Sequence, residues 1–112
     1  EKGIKWPINV APFHISLINL MIEDNECKAI CDSLYEKLLN NSYKVLYDDR
    51  DLGIGKKLSD NELIGIPFQI IVGKRNLKDN LVEIKNRSNN DSIKINPDQA
   101  MNFILKNAKL SF

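Results

Sequence analysis

Two nearly uninterrupted apolar stretches, residues 13 to 22 and residues 68 to 72, constrain this chain more than any other feature. A half-exposed strand alternates apolar with polar residues, whereas a strand covered on both faces reads as a continuous apolar run. Each stretch therefore predicts an interior strand of a sheet with helices on both sides. Between the two lies a segment, YKVLYDDRDLGIGKKLSDNELIGIPFQIIVGKR from Tyr43 to Arg75, in which a charged, glycine-containing turn follows one strand-like run and precedes another. Polar residues in such a turn are displayed at a strand end on a rigid support, which is how binding sites are commonly built.

The rest of the chain fills in around these strands. Glu23-Asp24-Asn25 carries helix-start chemistry, and Cys27, Ile30, Cys31, Leu34 and Leu38 recur at helical spacing, which predicts about four turns ending at Asn40-Asn41. Val45 to Tyr47 reads as a short second strand, and residues 56 to 64 as a short helix with Leu58 and Leu63 facing inward. Gly65 is expected to stop that helix in a left-handed conformation, and Pro67 to set the entry to the third strand. Alternation through residues 81 to 87 and at Ile93 and Ile95, around turn-forming residues 88 to 91, predicts an edge hairpin. Asn96 as N-cap, Pro97 at the first helical position and Gln99 as capping partner open a last helix, with Ala100, Met101, Ile104, Leu105 and Ala108 as its buried face. The expected fold is α/β: a five-stranded mixed sheet in βαβαβββα order, with three helices in a three-layer α/β/α arrangement. Residues 1 to 12 read as a lead-in from a preceding domain and residues 13 to 112 as the domain itself.

Several function classes fall away. The 112 residues suit one domain, and no apolar run approaches the roughly 18 residues of a membrane helix. The chain starts at Glu1 with neither an initiator Met nor a signal-like segment, so it reads as a cut through a longer polypeptide. Cys27 and Cys31 have no second ligand pair for zinc and are expected to be reduced core residues. His14 stands without a nucleophile, and no catalytic constellation is visible. The glycines at 53 and 55 match neither a phosphate-cradling loop nor a dinucleotide fingerprint.

Charge distribution says more than net charge. Residues 1 to 72 carry 8 Lys and Arg against 11 Asp and Glu, a balance of −3, whereas residues 73 to 112 carry 8 against 4, a balance of +4. Asp49, Arg50 and Asp51 follow the second strand, where open α/β sheets bind ligands, and Lys56 and Lys57 come next. Carboxylates can accept from the Watson-Crick edge of an unstacked guanine, and Arg50 offers a fork of donors. On the residues alone, the favoured reading is that Asp49 and Arg50 pair with each other and cap the following helix. Lys74, Glu83, Lys85 and Arg87 cluster around the later strands, which fits a base reader among phosphate contacts or a charge-protected sheet edge.

The residues themselves resemble one family. Trp6-Pro7, Ala11-Pro12-Phe13, Asp48-Asp49-Arg50, Gly55 with Lys57, Leu63-Ile64-Gly65-Ile66-Pro67 and Ile71-Val72-Gly73-Lys74-Arg75 together resemble the carboxy-terminal anticodon-binding domain of bacterial-type prolyl-tRNA synthetases, class II enzymes. The resemblance implies an RNA-binding, non-catalytic domain that reads the anticodon stem-loop of proline tRNA, whose anticodons share two guanines. It implies a homodimeric, cytoplasmic parent enzyme whose catalytic domain uses ATP and Mg2+, with no cofactor in this domain and neither DNA nor membrane as partner. Asp49, Arg50 and Lys57, and then Lys74, Glu83, Lys85 and Arg87, match polar positions of the family, and Asp51 and Lys56 lie beside them. Leu52, Gly53 and Ile54 depart from it, standing where an acidic residue, Arg and Pro are common. Related threonyl and histidyl domains share the scaffold, as does a protein-interaction or dimerisation module of the same fold.

Overall fold

The computed structural model describes residue 8 and residues 11 to 110. Trp6-Pro7 and most of the expected lead-in lie outside the described residues, although Ile8 packs against the core and Ala11 is buried. In chain order the elements are β1 (Ile15–Asn19), α1 (Asn25–Asn40), β2 (Val45–Asp48), α2 (Ile54–Ile64), β3 (Phe68–Val72), α3 (Lys74–Leu77), β4 (Val82–Asn86), β5 (Asp91–Ile95) and α4 (Pro97–Asn107). The sheet runs β2-β1-β3-β4-β5, with β2, β1 and β3 parallel and the β4–β5 hairpin antiparallel at one edge.

The chain steps outward from β1 to β2 and then back past β1 to β3. Right-handed crossovers in opposite directions place their helices on opposite faces, which makes the three layers. On the face with α1 and α4, Ile15, Leu17, Phe68, Ile70, Val72 and Ile84 meet Cys27, Cys31, Leu34, Leu38, Ala100 and Ile104 in one apolar core. Asp24 caps α1 by accepting from the Cys27 amide at 3.0 Å, and the Tyr43 hydroxyl ties the end of α4 by donating to the Ala108 carbonyl at 2.7 Å. Burial pushes the Cys31 thiol up to about 12 and the Cys27 thiol up to about 11, so both stay protonated within this core.

The opposite face differs in kind. Register puts Ser16, Ile18, Asp48, Gln69, Ile71, Glu83 and Lys85 there, and α2 lies across it. The α2 residues that point at the sheet are Lys57 and Asn61, both buried, rather than the expected leucines: Leu58 is half-buried and Leu63 is 54 % exposed. A polar sheet surface is matched by a polar helix face.

Other departures are local. The first strand is shorter than residues 13 to 22, and α2 begins at Ile54 instead of residue 56. Among the described residues there are four helices, not three: α3 is a single turn too short for periodicity to show. Asn96 is the N-cap of α4 and Pro97 its first residue as expected, but no side-chain capping bond forms; the Asn96 side-chain amide donates to the Asn80 carbonyl at 2.8 Å, and Leu105 is exposed. Gly65 closes α2 at φ 73° as expected.

Candidate nucleic-acid interface

Beside α2 the sheet carries a cavity of about 250 Å³ lined by Leu20, Leu58, Glu62, Gln69, Ile71, Asn76, Glu83 and Lys85. Its placement follows from the topology. Glu83 pairs with Ile71, one residue before the end of β3, so the antiparallel strand brings its carboxylate to the carboxyl edge of the parallel strands. Leu58 and Ile71 supply apolar walls, Glu62 and Glu83 supply acceptors, and Lys85, Gln69 and Asn76 supply donors.

Gln69 is the unusual member. It is 2 % exposed in the middle of an apolar strand, and its Nε2 has no hydrogen-bond partner among the described residues. A buried donor left without a partner costs roughly 1–3 kcal/mol. Gln69 also lines the cavity, so the unpartnered amide belongs to a residue of its wall.

Glu62 organises the cavity's charge. It accepts from the buried Arg87 guanidinium and from Lys85 Nζ at 3.3 Å, while its main-chain carbonyl accepts from Arg87 Nη2 at 3.2 Å. Arg87 is thus a buried brace between α2 and the end of β4. Lys85 keeps part of its side chain accessible and stands next to Glu83 on the same strand face.

The β2–α2 loop forms a second group. Arg50 forks onto Asp48, donating from Nε and Nη2 at 2.8 Å each, and reaches Asp60 from Nη1 at 3.2 Å. The expected pairing of Asp49 with Arg50 is therefore replaced by Asp48 with Arg50. Asp49 and Asp51 are exposed, and Asp51 lines a crevice of about 240 Å³ between this loop and the β1–α1 loop, with Leu20 shared between the crevice and the cavity. Lys56 is exposed and pairs with Asp60 at 3.1 Å. Lys74 is exposed at the start of α3, 3.9 Å from Asp24.

Lys57, one of the polar positions that the resemblance singles out for tRNA contact, is turned inward. It is 1 % exposed, and its Nζ donates to the Asn19 carbonyl at 2.6 Å, fastening α2 to the end of β1. Of the anticipated residues, the fold brings Glu83 and Lys85 into one cavity with Arg87 behind them. It leaves Asp49, Arg50, Asp51 and Lys56 on the adjoining loop and helix start, and puts Lys74 at the start of α3, on the same short helix as the cavity-lining Asn76.

Glu62, Gln69 and Asn76 line the cavity without having been anticipated. The sequence did hold one signal: an amide inside the otherwise apolar run Phe68–Val72 needs a reason.

Comparison with known proteins identifies the family of the chain. A family model described as an anticodon binding domain matches residues 10–107. The proline–tRNA ligase of Rickettsia bellii is 50 % identical over 90 residues, covering 80 % of this chain and 21 % of that protein. The proline–tRNA ligase of Zymomonas mobilis is 42 % identical over 104 residues, covering 93 % of this chain and 24 % of that protein. Among solved structures, prolyl-tRNA synthetase from Cryptosporidium parvum, complexed with L-proline and AMP, superposes with a TM-score of 0.81 at 26 % identity, covering 93 % of this chain and 22 % of that one. The chain thus spans about a fifth to a quarter of the length of these relatives.

Proposed function

The chain belongs to the anticodon-binding domain family, and we propose that it reads the anticodon loop of proline tRNA on behalf of a proline–tRNA ligase. The observation that carries this reading is the cavity between α2 and β4, where carboxylates, an ammonium and an unpartnered buried amide surround apolar walls. Its volume of about 250 Å³ lies below the roughly 300–1,000 Å³ of drug-sized ligand pockets and suits one heterocycle.

Guanine fits the donor pattern. Its Watson-Crick edge offers ring and amino donors beside a carbonyl acceptor, so Glu83 takes the donors while Lys85 and Gln69 both donate to the carbonyl. Adenine presents one amino donor and a ring acceptor, which leaves a carboxylate facing a lone pair. Single-stranded loops allow such splaying, and phosphates flanking the base meet exposed Lys56 and Lys74.

In this setting the domain supplies tRNA selection while the catalytic part of the ligase, with ATP and Mg2+, joins proline to the tRNA. Its partners are then the proline tRNA and that catalytic domain, in a homodimeric cytoplasmic enzyme.

Binding of the chain to a synthetic proline anticodon stem-loop, compared at one fixed salt concentration with loops carrying adenine for each guanine in turn, tests the reading. One good bidentate base contact is worth about 1–3 kcal/mol, so at least one substitution should weaken binding about tenfold or more. Equal affinity for every loop would remove base reading and leave only phosphate attraction.

A further inference from the structure

Asn61 does not line the cavity, yet its neighbour Glu62 does. Each polar atom of the Asn61 side chain is engaged: Oδ1 accepts from the Ser16 hydroxyl, and Nδ2 donates to Asp48 Oδ2 and to the Lys57 carbonyl, both at 2.8 Å. Ser16 and Asp48 sit on neighbouring strands β1 and β2, and Asp48 is itself held by Arg50. Asn61 is buried, so these bonds are shielded from competing water.

Apolar packing resists separation but tolerates sliding and turning, because dispersion has no direction. A saturated amide tolerates neither. Consecutive helical residues stand about 100° apart around the axis, so fixing Asn61 over β1 and β2 aims Glu62 toward β3 and β4. A helix turn of about 20° moves a side-chain terminus about 6 Å from the axis by about 2 Å, which is more than a hydrogen bond survives.

We propose that Asn61 is a positioning residue for base reading: the Ser16–Asn61–Asp48 network sets the rotation of α2, and thereby places the Glu62 carboxylate, and the Lys85 and Arg87 groups bonded to it, at the cavity. The proposal rests on the anticodon-reading function above. Asn61 acts through Glu62 and touches no base.

The test is a mutant cycle on the guanine preference, the ratio of affinities for the guanine loop and the most discriminated adenine loop. In the 112-residue chain, Asn61→Leu should lower that ratio about tenfold, the size of one lost charge-assisted hydrogen bond, with affinity for the adenine loop within about twofold. In a Glu62→Ala background the same substitution should change the ratio by less than about twofold, because the group it positions is gone. Ser16→Ala, which removes one bond of the network without touching α2, should lower the ratio in the same direction and serves alone if Asn61→Leu does not fold. An unchanged ratio in a folded variant, an equal loss for both loops, or the same effect with and without Glu62 would overturn the proposal. A native chain with no guanine preference overturns the reading itself, a result seen before any variant is made.

Discussion

Asp48→Ala is expected to destabilise the domain by about 3 kcal/mol at neutral pH, a large effect for one side chain at the polar interface. Asp48 is 4 % exposed and accepts from Arg50 Nε, Arg50 Nη2 and Asn61 Nδ2, each at 2.8 Å. Removing it strips the buried Asn61 amide of an acceptor and leaves a methyl where a carboxylate linked β2 to α2. Arg50, partly exposed and also paired with Asp60, recovers some hydration, which keeps the cost near the lower end of the range for broken buried pairs.

The effect has a pH signature. Hydrogen bonds from Arg50, joined by the one from Asn61, hold the Asp48 carboxyl down at about 2, against an ordinary 3.8. A carboxyl whose folded value lies below its unfolded value contributes stability that is complete above about pH 4. That stability is lost as pH falls through about 2. The gap in urea stability between native chain and variant should therefore shrink by about 2 kcal/mol over that window. A gap that stays constant through the window would mean that Asp48 does not fold as a paired carboxylate.

Glu83→Gln should produce the largest change in function. The amide keeps the shape and one acceptor but loses the charge and the second acceptor, so guanine's two donors can no longer be taken together. Preference for the guanine loop should fall about 10- to 100-fold in fluorescence anisotropy titrations at fixed salt, with affinity for the adenine loop nearly unchanged or slightly raised by the loss of a negative charge near phosphates. A parallel rise in affinity for both loops would show Glu83 to be only a repulsive charge. Because Glu83 lies on a half-buried strand position with no ion pair to a neighbouring element among the described residues, its replacement leaves the α2 brace of Arg87 and Glu62 intact.

The same contrast between faces explains what the sequence made legible. On the α1 and α4 face, ordinary apolar periodicity marks Cys27, Cys31, Leu34, Leu38 and Ile104 as core, and the fold agrees. Gly65 was equally readable, since a left-handed helix end before Pro67 leaves few other residues possible. On the α2 face the same rule misleads: it assumes that a buried helix face is apolar, and so it selects Leu63 over Lys57 and Asn61. Those two are buried because Ser16, Asp48 and the Asn19 carbonyl await them, a match across sequence separations of 13 to 45 residues that no local pattern displays.

The candidate site was legible to the same degree. Glu83 and Lys85 stand out as charged residues alternating on a strand, and they line the cavity. Arg50 and Lys57 stand out as cations after a strand, yet one braces Asp48 and the other anchors α2. The Asp48-Asp49-Arg50 string that carries the family resemblance is, at Asp48 and Arg50, a structural device. Glu62 became visible only when the fold placed it against Lys85 and Arg87.

The most direct test of base reading is the side-chain amide resonance of Gln69, followed by NMR in a ¹⁵N-labelled chain as the proline anticodon stem-loop is added. Its Nε2 has no partner among the described residues, and the residue lines the cavity. Saturation with the guanine loop should shift these signals strongly downfield as they meet a base acceptor, and the adenine loop at equal occupancy should shift them much less. Signals that stay in place while the RNA is demonstrably bound would contradict a nucleobase in this cavity.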